Sequence, residues 1–280
     1  MSTWIRVTKA KPCPVCSKPD WCLLSQDASA CICPRTESKK FIEGSGYLHV
    51  LSETEWSKDQ WKPEKKELPE HNEILAVMAR KYYTACTEEQ QVDADERLGV
   101  SKHSLRRLGM GWCSSQSANT FPMFRHERRL VGIRMRGTDG RKWAIKGSKQ
   151  GLFMPSNPGT GTRGIVICEG PTDTASMLDL GFDAIGRPSC MGATELILEV
   201  VIGRCVAIMA DRDGPGMDGA ERLCAAIKRK TREVLIISPP PGYKDARSWY
   251  RGGELKRMEV VELLKEARCR LGSATSPDTT

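Results

Sequence analysis

Short apolar runs alternate with longer amphipathic segments along the C-terminal half of the chain. Each of the runs ends in, or is followed by, a polar or glycine residue, and helical periodicity follows; the runs are GIVICEG, FDAIG, VAIMA and VLIIS. Continuous apolar runs of this length are typical of strands that are buried on both faces of a parallel sheet. The alternation therefore predicts a parallel α/β unit over residues 161–271, followed by a disordered tail over 272–280.

The chain before this unit shows two other patterns. Apolar spacing from Ile74 to Cys86 predicts an amphipathic helix, and a break at Gly99 followed by Ser101 as N-cap predicts a pair of shorter helices. From Phe121 to Pro155 the alternation is that of antiparallel strands separated by turns. We expect a small α+β subdomain over 71–160, a charged linker over 51–70 and a cysteine-rich module over 1–50.

Composition limits the classes of protein to be considered. The 280 residues carry a net charge of +8, and no apolar run approaches the ~18 residues of a membrane span. The N-terminus lacks the apolar segment of a secretory signal, so we expect a cytoplasmic protein with no membrane partner. No G-x-x-x-x-G-K-[ST] sequence occurs, which excludes a P-loop helicase within this chain.

The positive charge is concentrated in one stretch. Between Arg125 and Lys149 there are nine Lys or Arg residues against two acids. Strand alternation places Arg134 and Arg136 on one face, where they could contact phosphates; a solvated basic surface is the alternative. The candidate phosphate contacts in this stretch are Arg134, Arg136, Arg141, Lys142, Lys146 and Lys149.

Carboxylates follow the apolar runs. Glu169 ends the first predicted strand, Asp211 and Asp213 follow the third, and Asp245 follows the fourth. Because carboxyl ends of parallel strands meet at one edge, these acids are expected to lie together and to repel one another unless a divalent cation neutralises them. The pattern predicts a magnesium-type site and phosphate chemistry, although any one of these acids alone could be a helix N-cap or turn former.

Twelve cysteines in a cytosolic chain indicate metal ligands and buried thiols rather than disulfides. Cys13 and Cys16 form the C-x2-C half of a zinc site, and three candidates compete for the other two places: Cys22, Cys31 and Cys33. A module of this size has too little core to fold without a metal. The remaining seven cysteines are interpreted as buried thiols.

Several short segments together resemble a known family. They are Glu169-Gly170, the turn RPSCMGA after the second strand, Asp211-x-Asp213, and GYKDAR with Lys244-Asp245. In this order they resemble the Toprim fold of bacterial-type primases, topoisomerases and some nucleases. The upstream segments GVSKHSLRRLGMGW, TFPMFRHERRLVGIRMR and GRKWAIKGSKQGLF resemble the first part of the primase RNA-polymerase domain. With a zinc module in front, the resemblance to bacterial and phage primases covers nearly the whole chain.

The resemblance implies a DNA primase, a DNA-directed RNA polymerase that makes short RNA primers de novo on single-stranded DNA from ribonucleoside triphosphates. It implies two Mg²⁺ or Mn²⁺ ions held by Asp211, Asp213 and Asp245, with Glu169 near them as a base or a water-mediated ligand. Lys142 and Lys146 are the preferred triphosphate contacts, and Lys244 joins the nucleotide- and template-binding set. The four ligands of one structural zinc ion would be Cys13, Cys16, Cys22 and Cys33. Cys31 would be a spare, on the opposite side of a strand from Cys33.

Two rival functions use the same residues. A Toprim nuclease would need the same acids but would cut DNA, and a non-catalytic DNA-binding replication module would use them only for structural metal. The tyrosines lie in no domain that could serve a topoisomerase. A helicase or replication initiator is expected to be a separate protein, and a small primase of this kind suggests a phage, plasmid or other mobile element.

Overall fold

The computed structural model describes residues 4–42, 45–51, 72–157 and 164–273. The chain divides into two compact units, Met1–Glu67 and Leu68–Thr280. Of the predicted linker only Leu51 falls within the described residues, and the predicted tail beyond Ser273 lies outside them.

The first unit is a small antiparallel sheet in the order β1-β2-β3-β5-β4. The strands are β1 (Trp4–Arg6), β2 (Leu23–Ser25), β3 (Ala30–Cys33), β4 (Phe41–Ile42) and β5 (Gly46–Val50). Alternation along β3 places Ala30 and Ile32 in one apolar cluster and Cys31 and Cys33 in another. The expectation that Cys31 lies opposite Cys33 is therefore wrong, because residues two apart on a strand share a face.

The second unit begins with three helices and an antiparallel sheet. The elements are α1 (Glu73–Ala85), α2 (Glu88–Leu98), α3 (Lys102–Arg107), β6 (Gly111–Cys113), β7 (Ala118–Phe124), β8 (Leu130–Gly137) and β9 (Lys142–Ala144). The predicted helix break is present: Gly99 ends α2 in the left-handed region at φ 68°, and the Ser101 side chain accepts a hydrogen bond from Ser104 N–H. The strands follow the order β6-β7-β8-β9.

A four-stranded parallel sheet follows. Its elements are β10 (Ile165–Glu169), α4 (Gly170–Asp179), β11 (Asp183–Arg187), α5 (Thr194–Val201), β12 (Cys205–Met209), α6 (Gly214–Ile227), β13 (Glu233–Ile237), α7 (Ala246–Arg251) and α8 (Arg257–Ser273). Ile165 and Ile167 pack on one face of the sheet, and Val166 and Cys168 pack on the other. Burial on both faces explains why these strands are nearly continuous apolar runs.

The strand order is β11-β10-β12-β13. The chain passes from β10 outward to β11 and then returns to the other side of β10 for β12, so the direction of winding reverses between β10 and β12. Open α/β sheets bind ligands outside the carboxyl ends of the strands at such a reversal. Glu169 and Asp211 flank this point.

The predicted fold class is confirmed: a parallel α/β unit follows a smaller α+β part and an N-terminal cysteine-rich sheet. The short helix α7 was not predicted, and α8 continues to Ser273, two residues into the predicted tail. Within the described ranges, no helix has both the length and the apolar character to span a membrane.

Candidate active site and zinc site

Four cysteines of the first unit converge. The sulfur atoms of Cys13, Cys16, Cys22 and Cys33 all lie within 4.8 Å of one another, and these are the four residues that the resemblance selected. Four thiolates at this spacing fit one tetrahedral zinc ion. Cys31 is a close neighbour, with its Sγ 3.5 Å from Cys13 Sγ, although it does not belong to the four.

Local contacts hold Cys13 and its neighbours in the C-x2-C segment in place. The Cys13 sulfur accepts hydrogen bonds from the N–H groups of Val15 and Cys16, at 3.4 Å each. The Arg35 guanidinium lies 3.8 Å from Cys16 Sγ and 3.7 Å from Cys22 Sγ and donates to the Asp20 carbonyl. A cation beside the sulfurs stabilises their thiolate forms, which are the forms that bind zinc.

The remaining cysteines only partly match their interpretation as buried thiols. Cys86, Cys113 and Cys168 are buried, whereas Cys190, Cys205 and Cys224 are half-buried. Cys269 is exposed. Cys190 also lines a cleft at the carboxyl edge of the parallel sheet.

The four predicted carboxylates line one cleft at the carboxyl edge of the parallel sheet. Glu169 is the last residue of β10, and Asp211 lies two residues beyond β12. Asp213 and Asp245 are the residues that immediately precede α6 and α7. The cleft has a volume of about 320 Å³, at the lower end of the ~300–1,000 Å³ typical of small-molecule sites.

Two of these aspartates are also helix caps. Asp213 Oδ1 accepts from Gly216 N–H at 2.8 Å, and Asp245 Oδ1 accepts from Ser248 N–H at 2.7 Å. The other oxygen of Asp213 lies 3.1 Å from Lys244 Nζ. Asp213 can therefore cap a helix and still line the cleft with a charged oxygen. Its Oδ1 accepts the hydrogen bond from α6, while its Oδ2 pairs with the Lys244 ammonium.

One carboxylate of the cleft was not predicted from the sequence. Asp173, in the first turn of α4, is 7% exposed, and its Oδ1 accepts from Arg247 N–H at 2.9 Å. Arg247 belongs to α7, so this bond ties α7, and with it Asp245, to α4. A signal was present: Asp173 follows Glu169 by four residues within a run of small, uncharged residues, one helical turn into α4.

Burial and mutual repulsion perturb the acids. Burial, together with the charges of Asp173 and Glu169, raises the pKa of Asp211 to about 8. Burial and the charge of Asp245 raise the pKa of Asp173 to about 6, and burial raises that of Glu169. Asp213 differs: hydrogen bonding by Gly216 N–H and the nearby Lys244 lower its pKa. The cluster holds more negative charge than its surroundings neutralise.

This donor set fits hard divalent cations, which prefer carboxylate oxygens. The carboxylates of the cleft are spaced more widely than the cysteines of the zinc site. In the described part of the chain, only the four cysteines have ligand atoms that all lie within 4.8 Å of one another.

Cations also line the cleft, three from β8 and β9 and a fourth, Lys244, beside Asp213. Arg134, Arg136, Lys142 and Lys244 are all among its lining residues. Arg134 and Arg136 share a face of β8, as alternation predicts, and Lys142 pairs with Arg136 in the ladder between β8 and β9. Burial lowers the pKa of Arg134, Arg136 and Lys142.

The contacts of the two arginines are polar but not ionic. Arg134 donates to the Pro188 carbonyl at 3.3 Å, and Arg136 donates to Thr172 Oγ1 at 3.5 Å. Neither forms an ion pair with a carboxylate of the described residues. Partly desolvated cations of this kind favour an anionic ligand in the cleft.

Three predicted phosphate contacts lie elsewhere. Arg141, Lys146 and Lys149 are exposed and are not among the residues that line the cleft. Arg141 pairs with Asp139 across the turn between β8 and β9. Charge density along the sequence located the stretch that supplies Arg134, Arg136 and Lys142 to the cleft. Strand register decides which cations of this stretch line the cleft and which do not.

No protein-family model and no curated protein matches the sequence. Solved structures do resemble it. The catalytic core of the Escherichia coli primase aligns with a TM-score of 0.54 at 13% identity, over 69% of this chain and 79% of that one. A DnaG primase catalytic domain bound to single-stranded DNA gives a TM-score of 0.54 at 14% identity, over 69% and 80%.

The Aquifex aeolicus primase, with its zinc-binding and RNA polymerase domains, aligns with a TM-score of 0.52 at 14% identity, covering 69% of this chain and 60% of that one. Identities this low establish a similarity of fold. The chain described here has the fold of the bacterial primase catalytic core.

Proposed function

We propose that this chain is a DNA primase that synthesises short RNA primers de novo on single-stranded DNA. The observation that carries the proposal is the cleft itself: four carboxylates and the buried Asp173 line it together with Arg134, Arg136 and Lys142 at the reversal point of the sheet. The fold that holds this cleft is that of primase catalytic cores, one of which was solved with single-stranded DNA bound.

The reaction joins the 3′-hydroxyl oxygen of one nucleotide to the α-phosphorus of the next. As that bond forms, the bond from the α-phosphorus to the bridging oxygen breaks and pyrophosphate leaves. Divalent cations, when bound, supply neutralising charge for the phosphate oxygens and acidify the attacking hydroxyl. The protein must therefore hold cations on one side of the triphosphate and bind its negative charge on the other.

The lining of the cleft matches these requirements. Asp211, Asp213 and Asp245 would hold the cations. Because the pKa of Asp211 is raised to about 8, cations that bind there would displace a proton from its carboxyl group. Arg136 and Lys142, whose pKa values burial lowers, would bind triphosphate oxygens through charge-assisted hydrogen bonds.

Lys244 is placed to contact both Asp213 and a bound triphosphate. Its ammonium lies 3.1 Å from Asp213 Oδ2, and its exposed side chain lines the cleft beside the acids. A triphosphate in the cleft would give this ammonium a second anionic partner. Arg134 would contribute to template or nucleotide binding from the same strand face as Arg136.

The four cysteines would hold one structural zinc ion, which the first unit needs because its core is small. We further propose the divisions expected from the sequence, at 1–50, 51–70, 71–160 and 161–271, with a separate helicase or initiator as partner and a cytoplasmic location.

Primer synthesis on a pool of random-sequence single-stranded templates tests the proposal. The zinc-loaded protein is incubated with labelled ribonucleoside triphosphates and Mg²⁺ or Mn²⁺, with and without a replicative helicase. We expect the wild type to make short, alkali-sensitive products and Asp211→Asn to make none. Asp218→Asn is the control and should still make them, because Asp218 is an exposed residue of α6 that does not line the cleft. Absence of product from the wild type under every condition refutes the proposal.

The same preparation separates the rival functions. A nuclease would shorten labelled DNA in Mg²⁺ without nucleotides, and Asp211→Asn would prevent the cleavage. A non-catalytic module would bind DNA equally well with either residue at position 211 and would give neither product.

A further inference from the structure

Arg187 is a buried cation directly behind the acidic edge. It is the last residue of β11 and lies opposite Glu169 in the parallel ladder with β10. Only 3% of it is exposed, which is unusual for arginine unless a specific set of partners compensates for lost hydration. No step of the proposed reaction requires it to touch substrate, since it is absent from the lining of the cleft.

The guanidinium joins two segments that carry site residues. Its Nη1 donates to the Cys190 carbonyl, in the turn after β11, and to the Gly219 carbonyl of α6 at 3.2 Å. Helix α6 begins immediately after Asp213, which caps it. Arg187 therefore links the turn after β11 to the helix whose cap is a site aspartate.

The backbone of Cys190 extends this link to Glu169. The Cys190 backbone helps to lower the pKa of Glu169, and the Cys190 carbonyl accepts from Arg187. Packing leaves this residue little freedom: a Cβ on Gly219 would lie 2.5 Å from the Cys190 carbonyl oxygen. One buried guanidinium, opposite Glu169 in the strand ladder, thus fixes the Cys190 backbone against α6.

Charge complements these contacts. Burial lowers the pKa of Arg187, and the charge of Glu169 is the first of the neighbouring charges that oppose this effect. For Glu169, Arg187 is the strongest of the neighbours that favour the carboxylate; Lys142 also favours it, and Asp213 opposes it. The geometry of the bonds, rather than the titration of any one group, distinguishes Arg187 from the cations that line the cleft.

We infer that Arg187 is a positioning residue for the metal-dependent reaction: it holds the turn after β11 against α6 so that Asp213 presents its carboxylate to the cations while Glu169 stays beside them. This inference rests on the proposed function. Groups that orient metal ligands in this way typically contribute about 10–100-fold to metal affinity.

The test compares Arg187→Met and Arg187→Lys with a matched control, Arg204→Met. Arg204 pairs with Asp183 at the opposite end of the same strand β11, with 3.9 Å between Nη2 and Oδ2, and it does not line the cleft. Mn²⁺ binding is measured directly by electron paramagnetic resonance, and primer synthesis gives the KM for nucleotide at saturating Mn²⁺.

For Arg187→Met we expect the Mn²⁺ dissociation constant to rise about 10–100-fold, with a change of no more than about twofold in nucleotide KM at saturating Mn²⁺. Arg187→Lys should recover part of the affinity, since its ammonium can reach one carbonyl, and Arg204→Met should bind Mn²⁺ like the wild type. An equal loss in Arg204→Met, or wild-type affinity in Arg187→Met, overturns the inference.

Folding failure does not end the test. If Arg187→Met is insoluble, Gly219→Ala disturbs the same contact by displacing the Cys190 carbonyl, and it should weaken Mn²⁺ binding together with Arg187→Lys. Normal Mn²⁺ affinity in both overturns the inference. Because Mn²⁺ binding is measured without nucleotides, a wild type that binds Mn²⁺ but makes no primer counts against the proposed function and leaves the role of Arg187 to be decided by the variants.

Discussion

Asp211→Asn should stabilise the metal-free protein while abolishing its function. Asp211 is the acid with the most perturbed pKa in the cleft, raised from 3.8 to about 8, chiefly by burial and then by the charges of Asp173 and Glu169. Asparagine keeps the size of the side chain and removes the charge, so the repulsion within the cluster falls. The gain appears only while no cation neutralises the site.

The sign of the pH dependence follows from where the protons bind. Between pH 4 and pH 8 the folded protein holds a proton on Asp211 more tightly than the unfolded chain does, so stability falls as pH rises through this window. A shift of about four units corresponds to an upper limit of about 6 kcal/mol. Because Asp211 is only half-buried, screening reduces this, and we expect the variant's advantage to grow by about 2 kcal/mol from pH 5 to pH 8.

Urea unfolding, followed by circular dichroism in buffer free of Mg²⁺ and Mn²⁺ with zinc retained, measures this difference. Addition of Mg²⁺ at about tenfold its dissociation constant should then stabilise the wild type by about 1.4 kcal/mol and the variant by less. Asp218→Asn, an exposed change on the neighbouring helix, is the control and should follow the wild type. A variant no more stable than the wild type at pH 8, or a difference independent of pH, would refute the reasoning.

Three further outcomes are expected. Arg136→Met should raise the KM for nucleotide about 10–100-fold, the value of a charge-assisted contact, whereas Arg141→Met, outside the cleft, should leave steady-state kinetics unchanged. Cys22→Ser should lose the single zinc ion and unfold the first unit, and Cys31→Ser should keep one zinc per chain by atomic absorption. Ser101→Ala should lower the free energy of unfolding by about 1–2 kcal/mol in urea titration, because it removes the cap of α3 and the hydrogen bond that the Ser101 hydroxyl donates to Asp179. Activity per folded molecule should be unaltered, because neither residue lines the cleft.

The sequence predicted the parallel sheet well because its strands are buried on both faces and read as unbroken apolar runs. The carboxyl-edge position of Glu169, Asp211 and Asp213 followed from the same pattern, since any residue after such a strand lies at that edge. Helix α7 was missed because its six residues are too few to show periodicity.

Other features depend on tertiary contacts that spacing does not show. The place of Asp173 in the cleft depends on a bond from the N–H of Arg247, 74 residues away in the sequence. Arg187 gave no signal, because its partners are two backbone carbonyls. The misplacement of Cys31 has a different origin: the period of a strand is two, and the sequence already implied that Cys31 and Cys33 share a face.

The double use of Asp213 and Asp245 has a consequence for how such proteins diverge. Asparagine caps a helix about as well as aspartate does. A single exchange at either position would therefore preserve the architecture while removing a charge that the proposed chemistry needs. A variant that folds normally but lacks the proposed activity is thus one mutation away, since helix capping alone does not distinguish the two residues.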